Sequence, residues 1–228
     1  MRQIKTALIG CERSGIIRDA LRAVGVDAWS CDLEPCEGNP GFHYQADLFK
    51  VVEFRKFDLL IVHPECRYLS VSGLHWNKRV KGRARKTVQA LRFARKCFEL
   101  CEQFPFAVLE NPVSILSTRC PKYTKLIQII QPYDFGEDAS KKTCLWLFNL
   151  PKLLPTKRVP GRLVWKKGKQ IERWSNQTDS GQNKLAPKAS RSMDRARTYP
   201  GIAKAMAEQW VIGIGHNGEL DFEKKVAA

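Results

Sequence analysis

An α/β fold with a mostly parallel central sheet is predicted by three observations. Short apolar runs alternate with amphipathic helical stretches through the first half of the chain. Residues capable of chemistry follow the ends of those runs repeatedly, and in an open parallel sheet the carboxyl ends of the strands line the ligand crevice. The length of 228 residues, 43% of them hydrophobic, suits one ordinary domain with a core of its own.

The elements follow in order. Residues 5 to 10 (KTALIG) read as a strand, 15 to 24 (GIIRDALRAV) as an amphipathic helix, 26 to 31 (VDAWSC) as a second strand and 57 to 62 (FDLLIV) as a buried strand bounded by His63-Pro64. A long helix is predicted over 85 to 103, where Val88, Leu91, Phe93, Ala94, Cys97, Phe98, Leu100 and Cys101 recur at three- and four-residue intervals. Phe106 to Leu109 then form a strand that ends at Glu110-Asn111-Pro112. After Pro155 the texture changes, and residues 157 to 197 are basic and polar, with Trp165 and Trp174 interspersed. Two readings of this segment stand open: a flexible connector, and a short insert that sets Lys and Arg on phosphates and stacks tryptophans on bases. A helix with a proline near its start resumes from Pro200 to Trp210, and the tail after Gly213 is expected to fray. The chain thus divides into a catalytic portion over 1–156, a basic segment over 157–197 and a returning helix with its tail over 198–228.

The 39 Lys and Arg against 23 Asp and Glu leave a formal charge of +16, which favours a polyanionic partner through long-range attraction and counterion release. Nucleic acid is the first suspect. No stretch approaches the roughly 18 uninterrupted apolar residues of a membrane span, and MRQIKTALIG runs straight into a strand, so no membrane partner and a cytoplasmic location are expected. The eight cysteines are scattered, without disulfide-scaffold density and without paired C-x-x-C ligands, so free thiols and no metal site are expected. Cys97 and Cys101 sit four apart, which is half a metal site or, more often, one apolar helix face.

The candidate chemistry lies in four places. The turn Cys11-Glu12-Arg13-Ser14-Gly15 joins the first strand to the first helix; Asp32 follows the second strand and Asp47 another short apolar stretch. Small turn, then Asp, then Asp, is an order suited to a nucleoside-type cofactor. Cys66 lies just past a buried strand in His63-Pro64-Glu65-Cys66-Arg67, a loop position that favours a reactive thiol over a structural one. Arg67 would favour its thiolate and Glu65 would oppose it. Glu110 ends a strand with no basic residue near it in sequence, and a carboxylate held in a crevice there could protonate or hydrogen-bond a base edge.

CERSG at 11 to 15, CDLEP at 31 to 35, the Pro-x-Cys at 64 to 66, ENP at 110 to 112 and ARTYPGIAKAMAEQW at 196 to 210 together resemble the ordered motifs of the cytosine-5 DNA methyltransferases, and most closely a compact phage-borne branch of DNA methylases. The resemblance covers most of residues 4 to 156 and returns at 196 to 210. It implies a Rossmann-like fold that binds S-adenosyl-L-methionine (SAM), with DNA as partner and, if phage-encoded, the host cytoplasm as location. Cys66 would attack C6 of a flipped-out cytosine, Glu110 would hold N3, and C5 would take the methyl group. Ser14 and Gly15 would lie under the methionine part of the cofactor, Asp32 near its ribose and Asp47 near its adenine, with Cys11, Glu12 and Pro64 also among the cofactor-binding residues. Residues 67 to 86, with Arg67, Ser70, Arg79, Arg83 and Arg85, would form the loop that closes over the target. Lys141, Lys142 and Thr143 would support the site, and Trp165, Lys166, Lys167 and Arg173 would contact nucleic acid.

The sequence departs from that pattern at Arg13, in the first glycine turn, and at Glu65, where a proline normally precedes the nucleophile; both put charge beside the proposed functional atoms. Roughly forty residues stand where larger enzymes carry a target-recognition domain, so specificity is slight or is supplied by a second subunit, as in a homodimer. Two alternatives remain: an exocyclic-amine DNA methyltransferase, and a non-catalytic nucleic-acid binder on the same scaffold.

Overall fold

The computed structural model describes residues 3–185 and 197–213. Strand β1 (Thr6–Gly10) shows why the chain layers as it does: Ala7 and Ile9 enter one apolar layer and Leu8 the other. β4 (Leu59–Val62) and β5 (Phe106–Pro112) divide in the same way, Leu59, Ile61 and Val108 against Leu60, Val62, Ala107 and Leu109. Strands apolar on both faces need helices on both faces. One layer is closed by Ile17 and Leu21 of α1 (Ile16–Ala23) with Ile202 and Met206 of α4 (Pro200–Met206) and Trp210 of its π-helical continuation, Ala207–Ile212. The other is closed by Leu48 and Val51 of α2 (Leu48–Phe54) with Ala94, Cys97, Phe98 and Cys101 of α3 (Arg83–Cys101).

With β2 (Asp27–Asp32), β3 (His43–Gln45), β6 (Ile127–Ile130) and β7 (Thr143–Phe148), a seven-stranded sheet forms in the order β3-β2-β1-β4-β5-β7-β6. β3, β2, β1, β4 and β5 pair in parallel, and β7 runs antiparallel to both of its neighbours. From β1 the chain moves outward through β2 and β3, then returns to lay β4 and β5 on the opposite side of β1. This is a Rossmann-like, doubly wound sheet, and its topological switch point lies between β1 and β4.

The predicted strands and helices all form, within a few residues of their expected ends. The helix predicted over 85 to 103 begins at Arg83, which places Arg83 and Arg85 in its first turn and not in a closing loop; Val88 faces solvent, because the buried stripe runs through Thr87, Ala94, Cys97 and Cys101. Val71–Lys78 of the same stretch is a 3-10 helix. Cys97 and Cys101 are buried on one apolar face, as expected, and the described residues contain no metal-binding group of His, Cys, Asp or Glu.

The basic segment is a built insert over 157–185, and the rest of it, 186–196, lies outside the described residues, as does the tail expected to fray after Gly213. β8 (Arg162–Lys166) and β9 (Lys169–Arg173) form a hairpin turned at Lys167-Gly168, whose φ values of 52° and 75° are those of a two-residue turn that matches strand twist. Trp174, which one of the two readings of this segment would have stack on bases, is buried: its ring stacks on Tyr133 with centroids 3.9 Å apart, and its Nε1 donates to the Val159 carbonyl at 3.0 Å. The hairpin therefore stands on a fixed mount. Among the described residues no helix is long and apolar enough to cross a membrane.

Candidate functional site

Strand register brings the candidate residues to one sheet edge. Gly10 lies level with Cys31 on one side and Val62 on the other, and Val62 with Leu109. The 11–15 turn, Asp32, the loop after β4, and Glu110 with Asn111 consequently share the edge at the switch point. A Cβ at Gly10 would stand 2.8 Å from Leu48 Cδ1, so any other residue there would make the Leu48 side chain shift. Cys11 takes a left-handed φ of 60°, a conformation that costs a non-glycine residue about 1–3 kcal/mol and concentrates at functional turns.

Glu12, expected at the cofactor, is buried and spent on the cap of α1. Its carboxylate accepts from the N–H groups of Ile17 (2.9 Å) and Arg18 (3.5 Å) and from Ser14 Oγ (3.3 Å). Burial pushes its pKa up, opposed by His63, the two backbone donors and Arg18. The consequence is chemical. The helix terminus that holds pyrophosphate in dinucleotide-binding folds is already occupied by a carboxyl group, so this crevice suits a nucleoside cofactor without phosphates. Arg18, fully buried, fastens the next loop by donating to Ser30 Oγ (3.0 Å) and Cys36 Sγ (3.5 Å) as well as pairing with Asp19.

Asp32 and Asp47 each commit one carboxylate oxygen to a local turn, accepting from the N–H of Glu34 at 3.0 Å and of Phe49 at 2.8 Å, the latter capping α2. The other oxygen of each is left for a ligand. Leu33, beside Asp32, is 72% exposed and was missed in the sequence; an apolar side chain held open at this edge offers a face to a planar base.

Sequence shows no base near Glu110, but the fold supplies two. His63 Nδ1 lies 3.0 Å from Glu110 Oε2, and Lys141 acts on the same carboxylate. Burial alone would raise the Glu110 pKa; the His63 hydrogen bond, with the charges of Lys141 and His63, outweighs burial and holds it below the ordinary value. Asn111 Nδ2 donates to the Pro64 carbonyl at 2.8 Å, tying the end of β5 to the Cys66 loop. That loop is closed by bonds from the N–H groups of Leu69 and Ser70 to the Cys66 carbonyl, and stapled to the segment after β5 by the Ser70–Ser114 bridge and the bond from Ile115 N–H to Leu69.

None of the eight cysteines is in a disulfide. Burial pushes the thiols of Cys11, Cys31, Cys97, Cys101, Cys120 and Cys144 up, Cys31 to about 12 and Cys144 to about 11, which deprives them of thiolate at neutral pH. Cys36 is enclosed by Arg18, Gly38 and Asn39. Cys66 is half-buried, as Cys11 and Cys36 are, and stands in the loop after β4. Glu65 beside it is exposed and lines an open pocket with Tyr68 and, from α3, Lys86, Gln89, Ala90 and Phe93.

The cationic residues fall into two groups. Arg67, Arg83 and Lys86 gather over the Tyr68 ring, and Arg83 Nη2 donates to the Arg67 carbonyl at 3.0 Å; exposed Arg79 and Arg85 flank them. On the hairpin, Trp165 is 73% exposed and shares its face with Leu163. Lys167 stands at the tip, whereas Lys166 donates to the Ser180 carbonyl, and Arg173 closes the next loop through the carbonyls of Asp179 and Glu172. Ser140 and Asn176 exchange two hydrogen bonds of 3.0 Å and so fix the hairpin base next to Lys141, which itself donates to the Arg197 carbonyl. Lys142 is exposed, and the Thr143 hydroxyl donates to the Lys141 carbonyl.

No protein-family model matches this chain, and no curated protein does. Solved structures do match, among them the methyltransferase EhMeth of Entamoeba histolytica, which is 16% identical with a TM-score of 0.43 over 70% of this chain and 59% of that one. This chain thus spans under two thirds of that protein's length. The Rossmann-like assignment rests on the strand order and the switch point.

Proposed function

We propose that this chain is a SAM-dependent DNA methyltransferase that acts on cytosine C5 through Cys66. The observation that carries the reading is the joining of the Cys66 loop to the Glu110-Asn111 strand end, at the edge where Asp32 and Asp47 stand. The donor set fits SAM, whose ribose and adenine offer hydroxyl and amino groups to the two open carboxylates and whose structure brings no phosphate to the end of α1 that Glu12 already fills. When bound, SAM supplies an electrophilic methyl group.

The chain's own residues do the rest. Cys66 as thiolate adds to C6, which makes C5 nucleophilic; Glu110 holds N3 and fixes the ring. Asn111 keeps the loop at the strand end, and Arg67, following the nucleophile, offsets the charge of Glu65. A cytosine in duplex DNA must leave the stack to reach this edge, at a cost of a few kcal/mol, which the basic surfaces around Tyr68 and on the hairpin offset by holding phosphates.

DNA carrying 5-fluorocytosine tests the reading, because fluorine at C5 blocks release of the thiol. With SAM present, a covalent protein–DNA complex is expected whose peptide map places the adduct on Cys66 and which Cys66→Ala abolishes. Methyl transfer with no such adduct would contradict it and favour an exocyclic-amine enzyme.

A further inference from the structure

We propose that His63 is the proton reservoir behind Glu110, delivering to the carboxylate the proton that Glu110 passes to N3 of the target base. The inference rests on the C5 reading above and adds a residue whose part in it is not apparent from the sequence. His63 is bound on one side only: Nδ1 meets Glu110 Oε2 at 3.0 Å, while Nε2 is buried without a hydrogen-bond partner. Its backbone is fixed, the N–H donating to the Gly10 carbonyl at 3.0 Å, so the ring is presented to Glu110 by the sheet itself. Because Oε2 faces the imidazole, Oε1 is the oxygen left for a base.

The charged groups around the pair come from each neighbouring element. Glu12, in the turn after β1, acts electrostatically on His63, and Lys141, ahead of β7, acts on Glu110. Cys144 of β7 also faces Glu110 and is kept protonated by burial and by that carboxylate. Glu12 and Glu110 therefore both act on the imidazole, and the lysine helps hold Glu110 ionised until a proton is needed.

The proton inventory closes. As Cys66 adds to C6, the C5–C6 π pair becomes the C4–C5 double bond and the C4–N3 pair moves to N3. The Nδ1 proton passes to Glu110 and on to N3, leaving a neutral imidazole with its remaining hydrogen on Nε2. After C5 has taken the methyl group and lost its own proton to a base, the C5–C6 double bond re-forms, Cys66 leaves as thiolate, and the N3 proton returns through Glu110 to His63. No group besides His63 and Glu110 need store it.

His63→Asn tests this, since its amide can still donate to Glu110 but cannot titrate. Single-turnover methyl transfer from SAM to DNA is measured against pH for wild type and variant, with SAM-induced thermal stabilisation as the check on fold. The wild-type rate is expected to fall on the alkaline side as the imidazolium is lost; H63N is expected to be slower by roughly 10²-fold and to lack that alkaline limb, with SAM binding kept. An H63N profile of wild-type height and shape would overturn the proposal. If H63N loses its response to SAM, His63→Gln is read in the same way, and a Gln variant with the wild-type alkaline limb is equally fatal. Failure of the C5 reading is distinguishable, because the wild type itself would then form no 5-methylcytosine.

Discussion

Trp174→Ala should release the hairpin while leaving the sheet intact. Trp174 is 7% exposed and lies between the hairpin and the 132–140 segment, stacked on Tyr133. A tryptophan buries roughly 150–250 Å², which at ~25 cal/mol per Å² is about 4–6 kcal/mol, and buried Trp→Ala changes cost about 3–5 kcal/mol. What remains at the mount is the exposed bridging of Arg158 to Asp134 and Glu172, worth about 0.2–1 kcal/mol per pair, the Ser140–Asn176 and Ser175–Asp138 bonds, and the backbone bonds of 157–159 to 133–136, none of which replaces the lost apolar burial. A loss of ~3 kcal/mol is about two decades in a local opening equilibrium. Amide hydrogen exchange is the assay: protection across 162–173 should fall by roughly 10²-fold, while β4 and β5 keep theirs. Unchanged hairpin protection would show that Trp174 does not hold the mount, and an equal fall throughout would show that the insert is not a separable unit.

Gly201→Ala would set a Cβ 1.9 Å from the Phe135 carbonyl oxygen, a backbone atom that cannot rotate away. Overpacking of about 1–3 kcal/mol or more, and a Tm lowered by at least ~2 °C in calorimetry, is expected, and an unchanged Tm would count against the packing of α4 on that segment. Glu110 and Glu12 should act oppositely on stability against pH. Glu110, its pKa lowered, contributes stability above its ordinary value of 4.5 that is lost as pH falls through the folded value, so Glu110→Gln should cost most near neutrality and least in acid. Glu12, its pKa raised, contributes fully below 4.5 and loses that contribution as pH rises through the folded value; Glu12→Gln should stabilise near neutrality, an advantage that vanishes in acid denaturant titrations. Lys167→Ala, at the hairpin tip, should weaken DNA binding at every sequence tested and reduce the salt slope of log K by about 0.9, as read by fluorescence anisotropy; an unchanged slope would remove the tip from the interface.

The framework was legible because burial on both faces leaves continuous apolar runs, as in Leu59–Val62, while the helices keep a 3.6-residue stripe. β7 is just as apolar, but no polar turn or motif beside TCLWLF drew attention to it. Cys66, Glu110, Asp32 and Asp47 drew attention by their places after apolar runs, and register sets those loop and strand ends along one sheet edge. What escaped was pairing across distance: His63 and Glu110 lie 47 residues apart, and only parallel register sets them side by side. The capping role of Glu12 escaped because an acid in a glycine turn reads equally as a ligand contact and as a cap, and the choice depends on which backbone N–H groups lack partners. Trp165 and Trp174 share one basic, aperiodic stretch, so sequence could not tell the exposed ring from the buried one.

The most direct test is transfer of labelled methyl from SAM to mixed-sequence DNA by wild type and Cys66→Ala, with the modified nucleoside identified by mass spectrometry. Label in 5-methylcytosine that disappears with the substitution is predicted. Label on an exocyclic nitrogen, or 5-methylcytosine that survives loss of the thiol, would contradict Cys66 as nucleophile.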